Sequence, residues 1–295
     1  MNDPLAIRAL ATPDETALVD ASTGETWTVS ELDAAVERTA GRLAALSVEA
    51  GDHLALVMSP RPASMRIIHA ALRLGAVLVP LSHDLTPPEL QPRLDGTDVS
   101  IVLCDERTET AVATGTKLPI ASVDDPTQDR VQALQTVEAV DPPRHDWAGS
   151  DTALLAHTSG TTGDAKAVVL TATNLLTSAI ASAARLGIAP DDRWLVTLPL
   201  HHVGGVSPVL RMPLYGSTVV LRRGFDPGPC VDDVNEFGVT HVSLVPTMLR
   251  QMLDRRGTLP GSLRTVLLGG APAPVSLVRR CRNYSVPVAP TYGLT

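Results

Sequence analysis

The stretch His157–Thr171, HTSGTTGDAKAVVLT, carries the clearest structural signal in this 295-residue sequence. It follows a short apolar run at 153–156, which predicts a buried strand, and it leads into a second structured run. Gly160 and Gly163 allow the backbone to curl so that successive N–H groups point at one anion. Lys166 adds a flexible positive charge. Hydroxyl donors for phosphate oxygens come from Thr158, Ser159, Thr161 and Thr162. We therefore predict a phosphate-binding loop.

Two other interpretations of this stretch exist. The first is a polar turn in which Thr and Ser only cap neighbouring elements. The second is a Walker A loop, which needs the pattern GxxxxGK[ST]. Here the glycines are three residues apart, Lys166 is three beyond the second, and Ala167 stands where the metal-binding hydroxyl would be. The Walker A interpretation fails, and the simple turn stays open on composition alone.

Apolar runs that alternate with helical patterns extend outward from the loop in both directions. In the first half we predict a helix over 26–46, with Ser30 and Asp33 as its capping box, and a strand over 53–58. A helix over 64–74 and a second apolar run within 75–90 follow. Residues 107–150 are rich in Pro, Asp and Gln and predict a surface connection with one short helix. Further strands are predicted at 194–198, 217–221, 240–245 and 265–268, and helices at 174–186, 231–237 and 247–255.

This alternation predicts an α/β fold with mainly parallel sheets, because parallel strands need helical crossovers. We expect two layered α/β subdomains, residues 1–150 and residues 151–295, the second with the phosphate loop. The two together would form one domain.

Composition and charge exclude several classes of protein. Hydrophobic residues make up 44% and charged residues 19%, which is typical of a globular chain. The net charge is 24 − 32 = −8, which disfavours nucleic acid as a partner. Three widely separated cysteines argue against a disulfide framework and against a zinc cluster, so no metal site is predicted from them. With no signal peptide and no long apolar run, we expect a cytoplasmic protein without a membrane span.

The segment TSGTTGxxK resembles the phosphate loop of the adenylate-forming (AMP-binding) enzymes. The usual form of that loop has proline and glycine where this sequence has Ala165 and Ala167. Three further segments match the family in order: Leu198-Pro199-Leu200 before His202, LLGGAPAP at 267–274, and PTYGLT at 290–295. In the second motif the residue before the histidine is usually aromatic, and His201 departs from this. The resemblance extends over essentially the whole chain.

The resemblance implies ATP-dependent activation of a carboxylate to an acyl-adenylate, followed by thioester formation with CoA. It implies ATP and Mg²⁺ as cofactors and CoA as co-substrate. The implied catalytic residues are Lys166, His202 and Thr295. The implied nucleotide-binding residues are Thr158, Ser159, Gly160, Thr161, Thr162, Gly163, Lys166, Gly269, Gly270, Ala271, Pro272, Tyr292, Gly293 and Thr295. Residue chemistry alone leaves other interpretations: His201 and His202 as structural histidines or a metal pair, and the Gly-Pro cluster at 269–274 as an ordinary loop.

Within the family, LPLHHVGGVSPVLRMPLYGSTVVL at 198–221 and HVSLVPTML at 241–249 resemble the o-succinylbenzoate–CoA ligases of menaquinone biosynthesis. A dicarboxylate substrate needs donors for its second carboxylate, whereas a fatty-acid pocket prefers an apolar lining. The implied substrate-binding residues are His202, Gly204, Gly205, Arg211, Ser243 and Thr247. Arg211 could equally cap a helix or face water. The alternative is another acyl- or aryl-CoA ligase, for a medium-chain or aromatic acid.

The family pattern continues beyond Thr295 with a glutamate that binds Mg²⁺ and a small C-terminal lid domain with a catalytic lysine. The sequence stops before both, so we expect a truncated chain with little adenylation activity of its own. A non-catalytic nucleotide-binding remnant is therefore an alternative function. The sequence leaves a homo-oligomer open.

Overall fold

The structure is a computed structural model, and it describes residues 3–158 and 166–293. The strands of these residues are, in chain order, β1 (Thr16–Asp20), β2 (Thr26–Thr28), β3 (His53–Val57), β4 (Val77–Pro80), β5 (Val99–Cys104), β6 (Ile120–Ser122), β7 (Gln132–Ala133), β8 (Thr152–His157), β9 (Ala167–Thr171), β10 (Arg193–Val196), β11 (Thr218–Leu221), β12 (His241–Leu244), β13 (Thr265–Leu268) and β14 (Val288–Pro290).

The helices of the described residues are α1 (Pro4–Ala11), α2 (Val29–Ala45), α3 (Pro62–Leu74), α4 (Pro87–Asp95), α5 (Glu109–Gly115), α6 (Ala172–Leu186), α7 (Val203–Tyr215), α8 (Pro227–Glu236), α9 (Pro246–Arg256) and α10 (Val275–Asn283). A single 3₁₀ turn, Leu134–Thr136, follows β7. Within the described ranges no helix is long and apolar enough to cross a membrane.

The strands form two sheets, each with seven strands among the residues described. Sheet A has the order β14-β13-β12-β10-β11-β1-β2, and sheet B has the order β7-β6-β5-β3-β4-β8-β9. The strands pair in parallel except at one edge of each sheet, where β2 and β9 run antiparallel to their neighbours. The predicted α/β class with mainly parallel sheets is confirmed.

Helices cover both faces of each sheet. Helices α8, α9 and α10 pack on one face of sheet A, and α4 and α5 pack on one face of sheet B. The other faces enclose a shared core to which α2, α3 and α7 contribute. Parallel strands buried on both faces need long apolar runs, and β4, all of it buried, shows this (Val77–Pro80). The aliphatic core follows from an aromatic content of 3%.

The two sheets do not divide the chain at residue 150. Strands β1 and β2, residues 16–28, belong to sheet A with β10 to β14. Strands β8 and β9, residues 152–171, belong to sheet B with β3 to β7. Each sheet therefore takes strands from both sides of the expected subdomain boundary.

The cap of the first predicted helix is two residues earlier than predicted. Residues 26–28 form β2, and the capping box of α2 joins Thr28 to Glu31 instead of Ser30 to Asp33. Thr28 Oγ1 accepts from the Glu31 N–H at 3.2 Å, and the Glu31 carboxylate accepts from the Thr28 N–H at 2.8 Å. Two candidate boxes overlap in the sequence. Pairing of Thr28 with β1 decides between them, because it holds Thr28 in extended conformation.

Residues 107–150 contain more regular structure than predicted. Besides α5, they supply β6 and β7, which extend sheet B at one edge. The backbone bonds Val102 N–H to Pro119 carbonyl and Val123 N–H to Cys104 carbonyl tie this segment to β5. Short edge strands carry too few residues for a periodic signal, so only pairing with β5 reveals them.

Helix α7 was not predicted, because its sequence contains Gly204, Gly205, Pro208 and Pro213, all poor helix formers. Its formation depends on packing. Val206, Val209 and Met212 are fully buried in the shared core, and burial of a large apolar side chain is worth about 1.5–3 kcal/mol. Tertiary burial therefore outweighs intrinsic propensity in the element that follows the two histidines.

Candidate active site at the carboxyl edge of the sheets

The predicted phosphate loop lies between two paired antiparallel strands. Strand β8 ends at His157, opposite Ala167 at the start of β9. The Thr158 N–H donates to the Lys166 carbonyl at 3.0 Å, and the Thr158 hydroxyl donates to the same oxygen at 3.3 Å. These bonds close the base of the loop, and Lys166 is exposed beside it. The predicted loop residues Ser159, Gly160, Thr161, Thr162 and Gly163 lie outside the described residues, as does Thr295.

The second predicted site segment begins α7. His202 is the N-cap, with φ −101° and ψ 142°, and its N–H donates to the Pro199 carbonyl at 3.1 Å. Its own carbonyl accepts from the N–H groups of Gly205 and Val206. A Cβ on Gly205 would lie 2.2 Å from the Pro199 oxygen, so this turn requires glycine at 205. The contact fixes the approach of α7 and thereby the position of His202. A Cβ on Gly204 would lie 3.2 Å from a methyl group of Leu198.

His201 and His202 are both held neutral. Their rings lie 4.2 Å apart, centre to centre. Burial, together with the neighbouring His202 and His83, lowers the pKa of His201 to about 4, against a smaller opposing effect of Asp84. Burial also lowers the pKa of His202. No cluster of three metal-ligating side chains occurs in the described part of the chain, which leaves the metal-pair interpretation of these histidines without further ligands. Neutral imidazoles can donate and accept hydrogen bonds without introducing charge.

The predicted adenine-binding segments lie side by side. The Gly269 N–H donates to the Leu244 carbonyl, and the Thr291 N–H donates to the Leu268 carbonyl at 2.8 Å. A Cβ on Gly269 would lie 2.8 Å from the Thr291 methyl group, which shows how closely the two segments pack. Gly270 has a φ of +77°, Ala271 and Pro272 are exposed, and Tyr292 is 95% exposed. The structure thus brings 269–272 next to 291–293 with the tyrosine ring open to a ligand.

The remaining predicted substrate residues divide into two places. Thr247 is exposed in the first turn of α9, directly after β12. Ser243 is buried within β12, and its hydroxyl accepts from the Trp194 indole N–H at 3.2 Å, so its own proton stays available for donation. Arg211 lies in the third turn of α7, and its guanidinium donates to Ser178 and Ser182 of α6. Among the residues that the structure describes, it makes no hydrogen bond to His202, Ser243 or Thr247.

The structure also shows polar residues that the sequence interpretation missed. His83 and Asp84 follow β4 and lie close enough to His201 to affect its pKa. The Nδ1 atom of His83 is buried without a hydrogen-bond partner within the described structure. Arg107, after β5, donates to the Ser59 hydroxyl at 3.2 Å and lies 3.8 Å from Asp84. The available signal was position: each of these residues comes within four residues of the end of a strand.

All these segments occupy one edge. The carboxyl ends of parallel strands in an α/β sheet are where ligands bind, because the loops there converge on a crevice. In sheet A this edge carries His202, Thr247 and the turn at 269–272, and in sheet B it carries His83 and Thr158. The effect of His83 on His201 shows that the two edges face the same space. The arrangement puts the base of the predicted phosphate loop and the pair of imidazoles at this edge.

Comparison with known proteins agrees with this arrangement. A family model described as AMP-binding enzyme matches residues 5–295. The chain therefore belongs to the AMP-binding enzyme family, and the predicted family is confirmed.

Curated relatives narrow the resemblance. A 2-succinylbenzoate–CoA ligase from Bacillus velezensis is 38% identical over 295 residues, which cover 98% of this chain and 57% of that protein. The ligase of the same name from Bacillus subtilis is 36% identical over 288 residues, with the same coverage. The chain thus spans 57% of the length of these relatives. The predicted resemblance to o-succinylbenzoate–CoA ligases is confirmed.

Solved structures support the fold. The o-succinylbenzoate coenzyme A synthetase (MenE) from Bacillus subtilis, in complex with AMP, superposes with a TM-score of 0.91 at 34% identity, covering 100% of this chain and 74% of that one. The inhibitor-bound N-terminal domain of FACL13 from Mycobacterium tuberculosis superposes with a TM-score of 0.87 at 25% identity, covering 100% and 76%.

Proposed function

We propose that this chain functions in an AMP-forming acid–CoA ligase. The enzyme would convert o-succinylbenzoate to its CoA thioester in menaquinone biosynthesis. The observation that carries the proposal is the convergence of three segments at one edge: the loop closed by Thr158 and Lys166, the α7 N-cap His202, and the turn at 269–272 against Thr291. The relatives named as 2-succinylbenzoate–CoA ligases support the choice of acid.

The proposed reaction has two steps. A carboxylate oxygen attacks the α-phosphorus of ATP, a new P–O bond forms, and the bond to pyrophosphate breaks. The thiol of CoA then attacks the acyl carbon and displaces AMP. The first step brings two anions together, so positioning and charge compensation dominate its catalysis. Lys166 is placed to follow the departing pyrophosphate, and the backbone N–H groups of its loop, from Ser159 to Gly163, would bind the same phosphates.

At the opposite end of the site, uncharged hydrogen-bond donors would bind the acid. His202 and Thr247 are both exposed, each in the segment that follows a strand of sheet A, and Ser243 is buried in β12. Because burial lowers the pKa of His202, its imidazole stays neutral near pH 7 and can donate to a carboxylate or keto oxygen without a counter-ion. Gly205 allows the close contact with Pro199 that fixes the position of His202. Arg211 has serine partners on α6 and is not included in this donor set.

Adenine would lie at the turn 269–272, with Tyr292 stacked on it and Gly293 among the nucleotide-binding residues. The Tyr292 ring is 95% exposed and is therefore accessible for stacking on a base. Magnesium enters as the ion that accompanies ATP. Mg²⁺ keeps several waters and binds through substrate phosphates and one or two carboxylates, so it needs no preformed cluster of protein ligands. Within residues 3–158 and 166–293, no group of three metal-ligating side chains comes together.

The test of the phosphate loop is ATP–pyrophosphate exchange by the protein as its gene encodes it. We expect Lys166→Ala to lower exchange about 100-fold, since removal of one charge that stabilises the transition state typically costs this much. Lys117→Ala is the matched control, because Lys117 is the other lysine of the sequence and is exposed outside the site. Equal exchange by both variants would contradict the proposed role of Lys166.

Substrate choice separates the ligase from its alternatives. The exchange reaction is compared with o-succinylbenzoate, benzoate and octanoate. A preference for o-succinylbenzoate supports the proposal, whereas a preference for octanoate or benzoate assigns the chain to another acyl- or aryl-CoA ligase. Binding of ATP without exchange for any acid would identify a nucleotide-binding remnant.

A further inference from the structure

A small cavity of about 100 Å³ lies between helices α6 and α7, away from the carboxyl edge of the sheets. Its walls are mostly apolar: Leu72, Trp147, Leu175, Leu176, Leu210 and Leu214. Arg211 and Ser178 are the polar groups that border it beside Ser207. The cavity therefore combines an apolar interior with one cation.

The charge of Arg211 is not balanced by the surrounding protein. Its Nη1 donates to the Ser182 hydroxyl at 3.1 Å and its Nη2 donates to the Ser178 hydroxyl at 2.9 Å. Among residues 3–158 and 166–293, its hydrogen-bond partners are these two hydroxyls and it forms no ion pair with a carboxylate. Partial burial lowers the pKa of Arg211, while its hydrogen bond to Ser178 is exposed to solvent. A guanidinium carries five N–H donors, so about three remain for an anion.

We propose that this cavity binds a small amphipathic carboxylate about the size of benzoate. The ring or chain would lie among the leucines, and the carboxylate would accept from Arg211 and supply the missing negative charge. Arginine binds carboxylates through two parallel N–H bonds, a geometry that a hydroxyl partner does not satisfy.

The packing of α6 makes such a site accessible. Of the 15 residues of this helix, only Ala172 and Ala179 are buried, and Ile180 is 60% exposed. A helix with so few buried side chains can shift slightly. Such a shift would let a ring enter a cavity of about the size of that ring. An apolar cavity of similar size, about 150 Å³, takes up benzene in a well-studied engineered protein.

The cavity is separate from the proposed active site. Arg211 follows the N-cap His202 by nine residues, which at a rise of 1.5 Å per residue places it about 13 Å further along α7. The proposal does not depend on the proposed function, because it rests on the contacts of Arg211 alone.

Fluorine NMR titration of the full gene product with 4-fluorobenzoate measures the affinity. We expect Arg211→Gln to weaken binding at least tenfold, because a charge-assisted pair is replaced by a neutral one. The control is Arg185→Gln, which removes an exposed arginine of α6 and should leave the affinity unchanged. Leu176→Trp fills the cavity and should abolish binding although Arg211 is present, which keeps the test valid if Arg211→Gln unfolds the protein.

The location of the ligand is decided by a crystal grown with 4-bromobenzoate. A bromine anomalous peak among Leu175, Leu210 and Leu214 supports the proposal when the solution titration also shows Arg211-dependent binding. The proposal is overturned if the bromine lies only beside His202, or if Arg211→Gln and Leu176→Trp bind 4-fluorobenzoate as the unsubstituted protein does. Absence of binding at millimolar concentrations overturns it as well.

Discussion

Helices α3 and α6 have similar lengths, 13 and 15 residues, but they are held in opposite ways. Ten residues of α3 are buried between the two sheets, whereas two of α6 are. Each helix has an arginine in its interface. Arg73 of α3 pairs with Asp3 at 2.6 Å, with Glu37 at 2.6 Å and with Asp33, and Asp3 and Asp33 raise its pKa against the opposing effect of burial. Arg211, which faces α6, has two serine hydroxyls and a lowered pKa.

The comparison separates two kinds of arginine. The protein itself supplies the counter-charges of Arg73, whereas the proposed ligand would supply the counter-charge of Arg211. The three acids on Arg73 come from the N-cap of α1 and from α2, so this one side chain joins three helices. Such a centre is structural, because every charge in it has a partner within the chain. The cation beside α6 lacks such partners in the described structure, which is the arrangement expected of a binding site.

The largest effect should follow removal of Arg73. Arg73→Met leaves three acids without their shared partner, and we expect a loss of about 3–5 kcal/mol in the free energy of unfolding. Urea denaturation followed by circular dichroism measures it. The control is Arg144→Met, which removes an exposed partner of Glu37 and should cost less than about 1 kcal/mol. Similar losses in both variants would mean that Arg73 is not the centre of helix packing.

A matched pair of truncations tests burial directly. Ile68 in α3 is fully buried, and Ile68→Ala should cost about 2–5 kcal/mol through lost transfer energy and a cavity. Ile180 in α6 is 60% exposed, and Ile180→Ala should change stability by less than about 0.5 kcal/mol. The same denaturation experiment compares them. If Ile180→Ala is as costly as Ile68→Ala, a further element must cover α6 in solution.

His69, in α3, makes the stability of the protein depend on pH. Burial lowers its pKa to about 4, opposed by Asp3 and reinforced by Arg73, and its Nε2 lacks a partner in the described structure. The unfolded chain binds the proton more readily, so stability is full above about pH 6.5 and falls as the pH decreases toward 4. We expect His69→Leu to remove up to about 3 kcal/mol of that fall. The free energy of unfolding is measured for both proteins at pH 7.5, 6, 5 and 4. An equal loss of stability with decreasing pH in the two proteins would contradict this assignment.

The smallest effect should follow removal of Arg211. Arg211→Met gives up two hydrogen bonds to serines but also the cost of burying an uncompensated charge, so we expect a change within about 1 kcal/mol. The unfolding free energy of this variant, measured beside Arg73→Met, compares the two arginines most directly. A loss of 3 kcal/mol or more would show that Arg211 is a structural centre like Arg73.

The candidate site was largely predictable where a motif contains its own chemistry. The spacing of Thr158 and Lys166 indicates a phosphate loop, and β8 and β9 do close it. The turn at 269–272 and the segment at 291–293 are separated by α10 in the sequence. In the structure they are adjacent, because they follow the paired strands β13 and β14. Strand β14 was not predicted, so only its pairing with β13 in the structure brings the two segments together.

Other residues could not be placed from the sequence. Arg211 has the chemistry of a carboxylate ligand, but its direction depends on which face of α7 meets α6, and α7 itself contradicts its propensities. His83 looks like an ordinary loop residue until sheets A and B bring it to His201. The prediction that Arg211 contacts the substrate stays untested, while its serine partners indicate another role.

The sequence by itself determined the local elements with strong periodicity and the family, and it predicts the phosphate loop, because each depends on residues close together in the chain. Tertiary structure decided the strand order that mixes the two halves, the neutral imidazoles at the carboxyl edge and the unbalanced charge beside α6. These depend on burial and on charges from distant segments, and desolvation acts only when those segments are brought together.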